Sequence, residues 1–144
     1  MAISVSLTES ALVLPEPDND PQAGAVVIFL GAVRSTETGR EITGIEYEAH
    51  SAMAEHQMRM VAESASEKFA VREVIIHHRI GFVPAGQPSV VVRVTSGHRG
   101  AAFGASQWIM DELKQVVPIW KHPVFKDRAT AAPPPETKIP AERA

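Results

Sequence analysis

Apolar and polar positions alternate with the period of a β-strand in several short segments, and two longer segments repeat their apolar positions with the period of a helix. The strand patterns cover residues 3–7, 25–30, 42–49, 74–79 and 89–96. Residues 25–30 form an unbroken apolar run, which predicts a strand that is buried on both faces. We expect 25–49 to form a β-hairpin whose long polar tip carries Arg34, and 74–96 to form a second hairpin.

Two helices are predicted, one before and one after the second hairpin. The first runs from about Ser51, its expected N-cap, to Phe69. One face of this helix carries Ala54, Met58, Val61, Ala65 and Phe69. The second runs from about Gly100 to Val117 and ends at Pro118, because proline cannot continue a helix. These elements predict an α+β fold, in which two long helices pack on a mostly antiparallel sheet.

The chain is long enough for one domain, which we expect to span residues 1–124. After Val124 the sequence becomes rich in alanine, proline and lysine. Such a composition is typical of segments that do not join a packed core. Residues 125–144 are therefore predicted to form a flexible C-terminal tail.

Composition excludes several kinds of chemistry. Cysteine is absent, which removes disulfides, thiolate catalysis and cysteine-based zinc sites. The net charge of −3 argues against a nucleic-acid binder, and no apolar run is long enough to cross a membrane. No lysine or arginine precedes Arg34, which argues against a secretory or transit segment, so we expect a cytoplasmic protein.

Motif spacing excludes further classes. The sequence has no GxGxxG, no phosphate-binding loop with Gly-Lys-Ser/Thr and no Gly-x-Ser-x-Gly elbow, which argues against dinucleotide, nucleoside-triphosphate and serine-hydrolase chemistry. His77 and His78 are adjacent on a predicted strand and therefore point to opposite faces. We treat all six histidines as non-ligands, and expect neither a metal site nor a cofactor.

Two lysines are the main candidates for chemistry. Lys114 and Lys121 lie seven residues apart, on either side of Pro118 and beside an apolar Val-Pro-Ile-Trp run. A chain reversal near Pro118 would bring the two amines together, and neighbouring ammonium groups in a partly apolar site favour a neutral, reactive amine. On spacing alone, a dipole-stabilised Lys114 at a helix end and a solvated Lys121 explain the pattern equally well.

Three further basic residues indicate an anion site. His98 and Arg99 follow a strand and precede a helix, so backbone N–H groups at the helix start can join the guanidinium in holding an anion. Arg34 lies at the mouth of the predicted first hairpin. Each of these signals is weak when taken alone, and sequence does not establish that they converge.

The chain resembles a known family over residues 24–121. The resemblance is carried by short motifs in matching order: Phe29-Leu30-Gly31-Ala32-Val33-Arg34, Tyr47-Glu48-Ala49 with Met53-Ala54-Glu55, His78-Arg79-Ile80-Gly81, Ser96-Gly97-His98-Arg99 with Ala102-Phe103, Leu113-Lys114 and Pro118-Ile119-Trp120-Lys121. The family is the large, catalytic subunit of molybdopterin synthase, the MoaE family. So many motifs at the right spacing are specific, although each one alone is not.

This resemblance implies an α/β hammerhead fold and a homodimer of large subunits within a heterotetramer. Each large subunit would bind a small ubiquitin-like sulfur carrier of the MoaD type, whose thiocarboxylated tail delivers sulfur to cyclic pyranopterin monophosphate to form the molybdopterin dithiolene. By position, Lys114 and Lys121 match the family's catalytic lysines. Arg34, His98 and Arg99 match residues that line the substrate-phosphate pocket, part of which is donated across the dimer.

The sequence departs from the family pattern at two places. Pro123 stands where the family usually carries an acidic residue, and the C-terminal segment lacks the aromatic residues that the family often has there. The departure at Pro123 favours an alternative, a non-catalytic dimeric module that binds a ubiquitin-like tail or a phosphorylated ligand. A third hypothesis is a stand-alone enzyme that processes phosphoesters in the same basic pocket.

Overall fold

A computed structural model of the chain describes residues 2–16, 19–129 and 142–143. The elements in chain order are β1 (Ala2–Thr8), β2 (Ala25–Ala32), β3 (Thr36–Glu37), β4 (Arg40–Ala49), α1 (Ser51–Lys68), β5 (Val71–Arg79), β6 (Gly81–Pro84), β7 (Pro88–Ser96), α2 (Arg99–Val116), β8 (Ile119–Phe125), a 3₁₀ turn (Lys126–Ala129) and β9 (Glu142–Arg143). The mixed α+β fold with two long helices is confirmed. Neither α1 nor α2 has the length and apolar character that a membrane crossing requires.

The strands divide between two sheets. The first sheet has the order β1-β5-β7-β2, with β1 parallel to β5 and the other pairs antiparallel. Helix α1 packs on β1 and β5, helix α2 packs on β7 and β2, and the helices contact each other. The second sheet has the order β3-β4-β8-β9, and β6 also pairs with β4. All of these second-sheet pairings are antiparallel.

The predicted hairpin over 25–49 is wrong. Strand β2 pairs with β7, strand β4 pairs with β8, and the intervening residues form the small β3–β4 hairpin. The expectation that 25–30 is buried on both faces is also wrong. Val26, Ile28 and Leu30 are 49%, 45% and 44% exposed, because these alternate positions share one face of β2, whereas Ala25 and Val27 on the other face pack against the core. Hairpin prediction assumes pairing between sequence neighbours, and here both partners come from more distant segments.

The hairpin predicted over 74–96 is confirmed, because β5 and β7 pair antiparallel. Both helices also lie close to their predicted ranges, and the predicted stripe of α1 is buried at Ala54, Met58, Val61 and Ala65. The N-cap of α1 is His50 rather than Ser51, since its Nδ1 accepts a hydrogen bond from the Met53 amide at 3.4 Å. A neutral imidazole nitrogen can serve as such an acceptor.

Part of the predicted tail lies within the described residues. Phe125 ends β8, residues 126–129 form the 3₁₀ turn, and β9 pairs with β8 through Trp120↔Arg143 and Lys121↔Glu142. Residues 130–141 and Ala144 lie outside the described residues. The flexibility of 125–144 and the domain boundary at 124 stay predictions.

A buried ion pair ties the N-terminal loop to the first sheet. Arg93 on β7 donates to Glu73 Oε1 on β5 through Nε at 3.0 Å and through Nη2 at 2.8 Å. Its Nη1 donates to the carbonyls of Pro15 and Glu16, at 3.0 and 2.6 Å. The side chains of Arg93 and Glu73 are only 4% and 13% exposed, so each charge depends on the other for compensation.

An aromatic contact joins the two sheets. The ring of His78 on β5 meets the ring of Tyr47 on β4 edge-on, with centroids 5.1 Å apart and planes at 74°. His78 is 7% exposed, and its Nδ1–H donates to the Arg79 carbonyl at 2.7 Å, which we assign from the hydrogen bond. Burial lowers the pKa of His78 to about 4, so its imidazole is neutral in the folded protein at pH 7.

Replacing Glu73 with glutamine should destabilise the fold strongly. The variant Glu73→Gln removes the negative charge beside a buried guanidinium, and we expect it to lower the free energy of unfolding by about 3 kcal/mol, measured by urea denaturation. Glu67→Gln, at an exposed position of α1, is the control and should change the free energy by less than about 0.5 kcal/mol. A loss below 1 kcal/mol at Glu73 would contradict this account.

His78 should make the protein less stable in mild acid. Its pKa is about 4 when folded and 6.5 when unfolded, so the unfolded chain binds the extra proton between these values. Stability is therefore full above pH 6.5 and falls by about 3 kcal/mol as the pH drops to 4. His77, whose pKa is lowered by burial and by the charge of Arg93, adds to the loss in the same direction.

We expect His78→Leu to flatten this pH dependence in thermal unfolding measured from pH 7 to 4. His56→Gln, at an exposed position on α1, is the matched control and should retain the wild-type profile. An unchanged slope in His78→Leu would show that another group causes the acid sensitivity.

Candidate functional site

A pocket of about 170 Å³ lies where the end of α2 meets both sheets. Strand β2 contributes Phe29 to its wall, and α2 contributes Met110 and Lys114. Tyr47, His78 and Lys121 enter it from β4, β5 and β8. The lining is therefore mostly apolar, with two amines and one neutral imidazole in it.

Lys114 lies in the last turn of α2 and is exposed. A cation at this position is stabilised by the partial negative charge at the helix C-terminus. The helix ends immediately afterwards, where the Val117 amide donates to the Leu113 carbonyl at 3.2 Å. Pro118 then directs the chain into β8, so that both lysines reach one pocket.

Lys121 occupies the third position of β8, directly opposite Tyr47 of β4. This register turns its side chain toward the interior, where it is 21% exposed. Its Nζ donates to Glu37 Oε1 at 3.1 Å. The ammonium of Lys121 therefore has a carboxylate partner that spacing between the lysines did not indicate.

His78 and Tyr47 line the part of the pocket that lies deepest between the sheets, and both are 7% exposed. Sequence reasoning did not single out either residue for the site. The signal was present for His78, because it follows Val74 and Ile76 at alternate positions of one strand and so shares their buried face. Neutral and buried, His78 offers the pocket a polar ring without a charge.

The predicted anion-binding residues are not brought together with the lysines within one chain. His98 and Arg99 lie at the start of α2 and are exposed, fifteen or more residues before Lys114. At 1.5 Å rise per residue, this separation is about 22 Å along the helix. Arg34 is exposed and lies only two residues after Ala32, which lines the pocket. It is therefore nearer to the pocket than the start of α2 is.

The start of α2 nevertheless has the features of an anion site. His98 is its N-cap residue but forms no side-chain capping bond, which leaves the first amide groups of the helix without that acceptor. The combination of those N–H groups with Arg99 suits a phosphate. Across residues 2–16, 19–129 and 142–143, no three histidine or acidic side chains cluster in a way that would hold a metal ion.

Curated relatives match this sequence over most of its length. A molybdopterin synthase catalytic subunit from Neosartorya fischeri is 40% identical over 128 residues, which is 87% of this chain and 68% of the relative. The human molybdopterin synthase catalytic subunit is 34% identical over 110 residues, covering 76% of this chain and 58% of its own length. The chain thus spans between about half and two thirds of these relatives.

Solved structures agree with the sequence matches. A crystal structure of molybdopterin synthase from Staphylococcus aureus has a TM-score of 0.71 and 34% identity, covering 75% of this chain and 79% of the other. A complex of subunits 1 and 2 of molybdopterin-converting factor from Helicobacter pylori has the same fold, with a TM-score of 0.69, 20% identity, and coverage of 85% and 86%. The family model described as MoaE protein matches residues 4–116. The chain therefore belongs to the MoaE family.

Proposed function

We propose that this chain is the catalytic subunit of molybdopterin synthase. It transfers sulfur from the thiocarboxylated C-terminus of a small ubiquitin-like subunit to cyclic pyranopterin monophosphate, and so forms the molybdopterin dithiolene. The observation that carries the proposal is the placement of Lys114 and Lys121 in one mostly apolar pocket. The catalytic activity named for the human and Neosartorya fischeri relatives supports it.

The two lysines have different proposed roles, which follow from their different exposure. Lys114, on the exposed side, orients the incoming thiocarboxylate through its charge. Lys121, half-buried and held at its Nζ, donates a proton or a hydrogen bond to the substrate. The thiocarboxylate sulfur bonds to a side-chain carbon of the substrate and displaces an oxygen from it, which leaves as water or, at the carbon that bears the cyclic phosphate, as the phosphate oxygen. Water then hydrolyses the acyl–sulfur bond, and a second donor tail repeats the transfer at the neighbouring carbon. The tail leaves as a carboxylate, and the sulfur stays on the pterin side chain.

The pocket of one chain is too small for both reactants. Sites for drug-sized ligands usually measure about 300–1,000 Å³, whereas this pocket measures about 170 Å³. That volume suits the end of an extended peptide, but not a peptide end together with a tricyclic pterin. A second copy of the chain completes the site in our proposal.

The geometry of β2 supports a homodimer of this kind. One end of β2, at Ala25, pairs with Ser96 beside the start of α2, and the other end, at Ala32, reaches the lysine pocket. Antiparallel pairing of two β2 edges about a two-fold axis near Ile28 would therefore set the α2 start of one copy beside the lysines of the other. The exposed apolar side chains of β2 would be covered in the same step.

In this arrangement, Arg34 of one copy and His98 and Arg99 of the second copy bind the substrate phosphate. They also stabilise negative charge as the cyclic phosphate opens. The small ubiquitin-like subunit binds each large subunit, which gives a heterotetramer. The complex of two subunits named for the Helicobacter pylori protein supports such a partner.

We place the protein in the cytoplasm, because the proposed sulfur donor is an oxidisable thiocarboxylate. A reducing compartment preserves such a group. No metal and no organic cofactor enters the proposed reaction.

A second candidate function rests on Pro123. A non-catalytic module would bind the ubiquitin-like tail and yield no product, and Pro123, two residues after Lys121 on β8, is the feature that favours it. Under this alternative, partner binding would survive the loss of both lysines.

Removal of either lysine should abolish most of the activity. We expect Lys114→Ala and Lys121→Ala each to lower the rate of dithiolene formation at least ~10²-fold, the usual contribution of a positioned acid–base group. The assay combines the purified chain, a thiocarboxylated ubiquitin-like subunit and cyclic pyranopterin monophosphate. Lys126→Ala, at an exposed lysine five residues after Lys121, is the matched control.

Three outcomes separate the hypotheses. Product from the wild type that is sharply reduced in the two variants supports the synthase. Binding of the small subunit without product supports the module, and release of phosphate without any partner supports a stand-alone phosphoesterase. A loss of less than ~10²-fold in a normally folded variant would assign that lysine to packing.

A charge in the middle of β2 should separate the proposed dimer. We expect Ile28→Glu to convert the chain from dimer to monomer in size-exclusion chromatography with light scattering, because the carboxylate would be buried against an apolar edge. Activity should fall in parallel. The monomer should still show a cooperative thermal unfolding transition, which establishes that it is folded. A fully dimeric Ile28→Glu would show that β2 is not the interface.

A further inference from the structure

Lys121 on β8 forms an ion pair with a carboxylate from a different strand, Glu37 on β3. The distance from Lys121 Nζ to Glu37 Oε1 is 3.1 Å, and the two side chains are 21% and 12% exposed. An ion pair that is shielded from water in this way constrains both partners far more than one on the surface. Pro123, two residues beyond Lys121, carries no charge, and the carboxylate at Lys121 comes from Glu37 on β3.

Glu37 lies on the short hairpin of residues 36–41, which we call the arm. Strand β3 and the start of β4 pair through Thr36↔Glu41 and Glu37↔Arg40. The two residues between them, Thr38 and Gly39, have φ angles of 50° and 78°. Two successive residues with positive φ are the signature of the tight two-residue hairpin turn. The turn therefore fixes where the Glu37 side chain leaves the backbone.

The arm is also fastened to the strand that carries Lys121. Arg40 Nη2 donates to Asp127 Oδ1 at 2.6 Å, and its guanidinium lies 4.0 Å from the centroid of the Phe125 ring. The hydrogen bond to Arg40 is the largest cause that lowers the pKa of Asp127. Phe125 ends β8, and Asp127 follows two residues later in the 3₁₀ turn. The arm is therefore held against β8 and the turn that follows it, and β8 is also the strand that carries Lys121.

We propose that Glu37 is a positioning residue that holds the Lys121 ammonium at the pocket during sulfur transfer. A lysine side chain has four rotatable bonds, and its ordering costs conformational entropy. The Glu37 ion pair orders it before substrate arrives, so that the amine meets the reacting atoms in one place. This inference deepens the proposed function and rests on it for the role of Lys121.

The test uses the full chain and compares three variants. Glu37→Gln keeps the size of the side chain and removes its charge, Glu37→Asp keeps the charge on a shorter stem, and Glu41→Gln changes an exposed carboxylate on the other strand of the same hairpin. The first readout is the rate at which an amine-acylating reagent modifies Lys121, measured by peptide mass spectrometry with Lys68 as internal reference. It needs neither substrate nor partner.

We expect Lys121 of Glu37→Gln to be acylated several-fold faster than in the wild type, and Lys121 of Glu41→Gln to react at the wild-type rate. In the dithiolene assay, Glu37→Gln should lower kcat about 10–100-fold, the scale of a small misplacement of a reacting group. The affinity for the small subunit should stay within twofold. Glu37→Asp should restore part of the rate, and Glu37→Gln should add no further loss to Lys121→Ala.

Equal acylation of Lys121 in wild type and Glu37→Gln would overturn the inference, and so would a kcat within twofold of wild type. Additive losses in the double variant would overturn it as well, because they would show that Glu37 acts independently of Lys121. Absence of product from the wild-type chain would instead overturn the proposed function. The acylation rates would then still decide whether Glu37 holds Lys121.

Discussion

The pairing of β4 with β8 is the constraint on which the site depends. Strand β4 is bonded to β3, β6 and β8, and its Tyr47 meets His78 of the other sheet. The same register sets Tyr47 opposite Lys121. Since side chains alternate between the faces of a strand, a slip of one residue would turn Lys121 away from the pocket and Trp120 toward it. The chemistry is therefore specified by backbone hydrogen bonds before any side chain acts.

Local patterns predicted what depends on local interactions. Both helices, the β5–β7 hairpin and the interior face of α1 follow from periodicity and from Pro118, and the structure places them as expected. The lysine pair could also be predicted from the sequence, because Lys114 and Lys121 are only seven positions apart and Pro118 ends the helix between them. The catalytic roles of these residues came from the family resemblance and stay predictions.

Non-local pairing accounts for what was missed. The apolar run of β2 is the pattern of a strand with both faces covered, but within the described chain β2 is an edge strand with one face exposed at Val26, Ile28 and Leu30. Glu37 has no sequence signal that links it to Lys121, because the two residues lie 84 positions apart and meet only through the pairing of β4 with both β3 and β8. The sequence left open whether Arg34, His98 and Arg99 converge with the lysines, because it does not show where the two ends of α2 lie relative to one another; within one chain, the length of α2 holds Arg99 far from Lys114.

The separation between the two ends of α2 has a genetic consequence. If each pocket takes its amines from one copy and its anion-binding helix start from the other, no copy is sufficient by itself. A defect at Arg99 would then silence the pocket of its partner while leaving its own lysines intact. Mixed dimers of a lysine-defective and an Arg99-defective chain would still assemble one complete site of two. Two individually inactive alleles would complement each other, whereas two defects in the same half-site would not.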